Sequence, residues 1–137
     1  MLSVSYPQDN RNYCVFNPVQ VNKIISRKNN LEEIDNTLKI SKDKDEILLN
    51  LYALNVMLDN GASTDSVKEL YPELSKFNNT NSPEIQVFLA GIYRKTKIPD
   101  AFGPLCAMLI RNSVNPPSDI NFDPNEEIGG AILDYLA

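Results

Sequence analysis

Asp119-Ile120-Asn121-Phe122-Asp123 sets three oxygen-bearing side chains at alternate positions, the spacing with which a calcium-binding loop opens. The pattern then fails. Pro124 stands where such a loop needs glycine, and Gly130 stands where it needs a bidentate glutamate. Asp123, directly ahead of Pro124, is placed to cap a helix instead. The absence of histidine removes Ser-His-Asp and Cys-His arrangements and every imidazole metal ligand. Cys106, inside LCAMLI, has no base to activate it and reads as a small buried hydrophobe. Cys14 lies too far away in sequence to join it in a standard zinc site, and both are expected as reduced thiols. Glu32, Glu33 and Asp35, like Glu126 and Glu127, crowd helix N-termini, where the helix dipole favours negative charge. No phosphate loop or dinucleotide fingerprint occurs. These residues predict no catalytic group, no cofactor and no metal.

The residues better suited to chemistry are those that grip a partner. Tyr52, Asn55 and Asp59 recur at i, i+3 and i+7, so they share one face of a helix. Shifted by 38 residues they fall on Ala90, Tyr93 and Lys97, with Gln86 one turn earlier on the same side. Tyrosine mixed with amide and charge is a common makeup for a protein-binding surface. This pattern nominates Tyr52, Asn55, Asp59, Gln86, Tyr93 and Lys97 as contacts. The competing reading makes Tyr52 and Tyr93 half-buried spacers between helices.

The shift of 38 is an internal echo, and it shows which elements must carry these residues. EILLNLYALNVML, from Glu46, aligns with EIQVFLAGIYRKT, from Glu84. Ile47 matches Ile85, Leu51 matches Leu89 and Leu54 matches Ile92. Further on, Val67 falls on Leu105, Leu70 on Met108 and Tyr71 on Leu109. Two helical patterns per period of this size are what stacked helix pairs produce. In period, helix-pair layout and proline placement, residues 45–114 resemble HEAT and armadillo repeats. The resemblance implies antiparallel helix pairs stacked side by side, and an architecture whose usual work is holding other macromolecules.

Cap signals divide the chain into six to seven short helices. Residues 1–16 read as a loose arm whose apolar end, Tyr13 to Phe16, packs on the first helix. Residues 17–137 read as one helical domain. Asn17-Pro18-Val19-Gln20 starts the first helix, and Asn30 with Glu33 forms a capping box for the second. The third, from about Asp45 to Leu58, is apolar around most of its circumference and must be central. Asn60-Gly61 ends it. Pro72 falls inside the fourth and predicts a kink or two pieces. Ser82-Pro83-Glu84 opens the fifth, the sixth follows Ile98-Pro99-Asp100, and Asp123-Pro124 opens the seventh. The seventh has no partner in a stack of pairs, so the chain is expected to be a piece of a longer protein. A compact irregular bundle is the alternative fold.

Charge narrows the partner. The net charge is −5, yet residues 1–118 are balanced; Asp119, Asp123, Glu126, Glu127 and Asp134 supply the whole excess. A neutral body with an acidic end does not suit a phosphate backbone, which predicts no nucleic-acid binding. No apolar run reaches the length of a membrane span, and the N-terminus lacks the basic start and apolar block of a secretory signal. A cytoplasmic location follows, or export by a route that needs no such signal. Taken together, the sequence predicts an all-α, HEAT/armadillo-like domain that binds a protein or peptide without catalysis. A carboxylate-dependent enzyme fragment and a purely structural helical spacer are the alternatives. Oligomeric state and partner identity are not encoded in any motif.

Overall fold

Asparagine, aspartate, serine and proline set the helix starts. In the computed structural model, which describes residues 16–137, the Val19 amide donates to Asn17 Oδ1 at 2.9 Å ahead of α1 (Pro18–Ile25). The box expected from Asn30 and Glu33 does not form at α2 (Asn30–Ile40). Asn30 Nδ2 instead donates to the Ile25 carbonyl at 2.8 Å, and Arg27 pairs with Glu33 at 2.9 Å. The connection is so short that orphan carbonyls and a cation from the end of α1 lie within reach and capture both side chains.

Asp43 caps α3 (Lys44–Asp59) by accepting from the Asp45 amide. The helix closes through Gly61 at φ +93°, a left-handed position that costs glycine little, with the Ala62 amide donating to the Met57 carbonyl. Ser63 then caps α4 (Thr64–Lys68). Pro72 brings no N–H and cannot continue that helix, so the chain restarts as α5 (Tyr71–Leu74) and a 3-10 turn, Ser75–Phe77. Ser82 and Pro83 begin α6 (Pro83–Thr96). A 3-10 turn, Pro99–Ala101, leads into α7 (Phe102–Val114), and Asp123 caps α8 (Pro124–Leu136). The fold is all-α: among the described residues eight α-helices pack together and no strand forms. The count exceeds six to seven because Pro72 divides one expected helix in two.

The echo is visible in burial. Leu51 and Leu89, Leu54 and Ile92, and Val67 and Leu105 are aligned pairs, and all six lie fully out of solvent. Along the chain α1 packs on α3, α3 on α6 and α6 on α8, while α2 lies against α3 and α5, and α7 against α8. Helix α3 therefore has neighbours on several sides, as its apolar circumference requires. Of the predicted arm only Phe16 falls within the described residues. It stacks on Tyr52 of α3, centroids 4.8 Å apart, and lies 6.1 Å from Phe88 of α6. The rest of that arm, with Cys14, lies outside the described residues. No helix among the described residues is long and apolar enough to cross a membrane.

Candidate binding surface

The six residues of the predicted stripe do not share one surface. Tyr93 is fully buried, and its hydroxyl donates to Asn78 Oδ1 at 2.7 Å. Burial pushes that phenol far above its ordinary pKa, with Tyr71 and Tyr135 nearby adding to the shift. Gln86 is buried as well: its Nε2 donates to the Thr80 carbonyl at 2.9 Å, and its Oε1 accepts from Asn112 Nδ2 at 2.7 Å. Asn55, also buried, donates to the carbonyls of Leu51 and Phe88 and accepts from Lys95 Nζ at 3.1 Å. Tyr52 is half-buried between Phe16 and Phe88. Asp59 and Lys97 alone are exposed. Asp59 pairs with Lys95 at 2.8 Å, and Lys97 turns the chain at φ +53° after α6.

These groups form polar ladders between helices. Lys95 joins Asn55 to Asp59 across α3 and α6, and Asn112 joins Gln86 to Asn125 across α6, α7 and α8. Arg111 donates to the Asn78 and Thr80 carbonyls, holding the connector before α6 against α7. Arg94 of α6 reaches Asp134 at 2.8 Å and Glu127 at 3.6 Å on α8. The guanidinium's hydrogen bond to Asp134 holds that carboxyl below the usual carboxylate range. These side chains bond to one another and to carbonyls inside the molecule, which suits alignment of helices, although Arg111 Nε is buried without a partner. Among the described residues no three potential metal-ligating side chains converge. Asp119 and Asn121 border an open groove of about 430 Å³, while Asp123 accepts from the Asn125 amide as a helix cap.

The surface that stands out lies on α7 and α8. The two helices run antiparallel: Phe102 meets Tyr135 at one end (5.5 Å between ring centroids), and Asn112 meets Asn125 at the other. The Tyr135 hydroxyl fastens the first end by donating to the Ile98 carbonyl at 2.6 Å; its pKa is pushed up to about 12 by burial and by Tyr71. On the inner side α7 buries Leu105, Met108 and Asn112, and α8 buries Ile128 and Ala131. The outer side remains apolar. Ile110 is 62% exposed, Val114 80%, Leu133 68% and Leu136 69%; they are four of the six large hydrophobic residues that the described part of the chain leaves in solvent. At 100° per residue Gly103, Ala107, Ile110 and Val114 fall on one outward strip of α7, and Gly129, Leu133 and Leu136 on one of α8. The strip of α7 carries no charged residue, while on α8 the exposed Glu126 lies one heptad before Leu133. At the end of α7, Ile110 and Val114 also border a groove of about 590 Å³ with Pro116 and Pro117.

Reading by period passed over this surface because the echo directed attention to positions shared by α3 and α6. The signal was present in α7, where apolar residues repeat at i, i+4, i+7 and i+11 on the side opposite Leu105 and Met108. Set against family models, curated proteins and solved structures, the chain matches none of them.

Proposed function

We propose that the chain is a non-catalytic helical domain that binds a protein or peptide, and that the outer face of α7 and α8 is where it does so. The observation that carries this reading is the exposure of Ile110, Val114, Leu133 and Leu136 on two adjacent helices. Covering an aliphatic side chain is worth about 1.5–3 kcal/mol, so a face with four uncovered holds a driving force for association that the folded chain does not use. The ladders of α3 and α6 support the same reading from the other side, since their polar groups are already engaged with one another. The finer architecture belongs to the proposal too. The order of neighbours, α1 to α3 to α6 to α8, supports a short stack of antiparallel pairs in which α7 and α8 form the last layer.

The test is capture from the native cell with four forms of the chain: unaltered, Ile110→Asp, Leu133→Asp and Val19→Asp. Val19 is 55% exposed on α1, away from the proposed face, and serves as the control. A partner retained by the unaltered and Val19→Asp forms but lost by the other two supports the reading. Retention by all four, with each form folded by circular dichroism, defeats it.

A further inference from the structure

Asn60-Gly61 is the only asparagine–glycine pair in the chain, and both residues are exposed where α3 ends. In such a pair the backbone nitrogen of the glycine can attack the side-chain carbonyl of the asparagine, because glycine has no Cβ to hinder it. A Cβ built at Gly61 would meet nothing within 4 Å, so no neighbouring element shields the pair from outside. Other asparagines are held by their surroundings. Asn50, Asn55, Asn78 and Asn112 are buried, and each amide nitrogen donates to a neighbour. Asn81, exposed ahead of Ser82, is the next candidate. There a serine side chain stands beside the attacking nitrogen, and that N–H donates to Thr80 Oγ1 at 3.0 Å.

The folded cap holds Asn60 and Gly61 in an unreactive arrangement. Ring closure needs the Asn60 Cβ and the Gly61 nitrogen eclipsed about the Asn60 Cα–C bond. At ψ +13° it is the residue's own nitrogen that lies near that position, with Cβ rotated away. The attacking nitrogen also donates to the Leu58 carbonyl at 3.2 Å, the Asn60 amide to Val56 at 3.0 Å and the Ala62 amide to Met57 at 2.9 Å. These bonds close the last turn of a helix, where local opening costs least. Independently of the surface proposed above, we infer that Asn60 is a site of spontaneous modification, by deamidation, and that opening of the last turn of α3 sets its rate. Once the turn opens, the Gly61 nitrogen gives its proton to hydroxide and attacks Asn60 Cγ. That bond forms, the Cγ–Nδ2 bond breaks, and the nitrogen leaves as ammonia after taking a proton from water. Water then opens the succinimide at either carbonyl, giving aspartate or isoaspartate. Either product sets a carboxylate beside Asp59, at the negative end of the α3 dipole. Isoaspartate also adds a methylene to the main chain inside the turn. The product therefore opposes reclosure next to the ion pair of Asp59 with Lys95.

The test is mass spectrometry of the full chain aged in mildly alkaline buffer, with digestion to locate each amide that has become a carboxylate. A synthetic peptide spanning residues 57–64, aged alongside, gives the rate without the cap. Product is expected at Asn60 before any other asparagine, and at least about tenfold more slowly than in the peptide. Asn60→Gln is expected to abolish it. Ala62→Pro removes the N–H that donates to Met57 and is expected to raise the rate several-fold, with the helical fold retained by circular dichroism. Urea below the unfolding transition is expected to do the same in the unaltered chain. No product, or product first at another asparagine, overturns the assignment of the site. Reaction at Asn60 as fast as in the peptide overturns control by the turn. So does a rate that Ala62→Pro leaves unchanged, or one that rises in urea only with the globally unfolded fraction.

Discussion

The interior around α6 and the outer face of α7 and α8 invert the usual placement of residue types. Around α6, Asn55, Gln86 and Tyr93 are polar and inside; on the outer face, Ile110, Val114 and Leu133 are aliphatic and outside. Residue type does not decide exposure here. What decides it is whether a helix has a neighbour on that side. Around α6 each of these three side chains finds a partner in place of water, so its burial is compensated. Beyond α7 and α8 no described helix follows, and side chains of the type that builds the core elsewhere are left in solvent. Interior ladders and exposed aliphatics are thus two consequences of one layered arrangement, and each prediction below strains one of them.

The largest effect is expected in the interior around α6. Tyr93→Ala removes a fully buried ring and leaves Asn78 without the hydroxyl that donates to it. Large-to-small changes of this kind cost about 3–5 kcal/mol. Urea denaturation of the full chain measures it, and a cost below about 1 kcal/mol would mean that Tyr93 and its bond to Asn78 do not hold the connector against α6.

Alkaline pH strains the same region without a substitution. The folded chain holds the Tyr135 proton up to about 12 and the Tyr93 proton higher still, whereas a free phenol releases its proton near roughly 10. Above that value the unfolded state binds fewer protons than the folded state, so stability falls as pH rises. The tyrosine contribution is level below roughly pH 10, and the Tyr135 share is fully lost once pH has passed its folded value. Equilibrium denaturation at stepped pH checks the direction. Tyrosinate absorbance adds a second readout, since Tyr93 is expected to ionise only as the chain unfolds.

Gly91→Ala tests how tightly α3 and α6 approach. A Cβ at Gly91 would come within 2.5 Å of Asn55 Oδ1. That oxygen cannot swing away freely, because Lys95 donates to it and the amide nitrogen is bound to two carbonyls. Disturbing the buried bonds costs about 1–3 kcal/mol, and the better helix propensity of alanine returns up to about 1. A net loss of about 1–2 kcal/mol is expected from those two terms. A gain in stability would show that the two helices have room to part.

The helices themselves were legible because their boundaries are chemical. Asn17, Ser82 and Asp123 act as caps where the sequence pattern puts them, and Pro72 breaks the chain as a residue without an N–H must. The face that each residue takes was less legible. Tyr52, Asn55 and Asp59 do lie on one side of α3, yet that side turns toward α6 and Phe16, so only Asp59 is exposed. Periodicity identifies residues that share a face and says nothing of what lies opposite. For Tyr93 the missing information was the presence of Asn78, fifteen residues earlier, as a partner able to satisfy a buried hydroxyl. For Ile110 and Val114 it was the lack of a described neighbour on the outer side of α7, which no local pattern encodes.

The smallest expected effect falls on the outer face, and its smallness is informative. Ile110→Asp and Leu133→Asp replace side chains that already lie mostly in water, so neither should move the unfolding free energy by more than about 0.5 kcal/mol. The same aspartate at Leu105, on the buried side of α7, places an unpaired carboxylate in the core and should prevent folding or cost several times more. If Ile110→Asp costs as much as a core substitution, something within the chain covers that side of α7 in solution. The contrast between the two regions then collapses, and with it the argument that the face is free for a partner. If the cost is near zero while partner capture is lost, the four aliphatics owe their exposure to recognition rather than to folding.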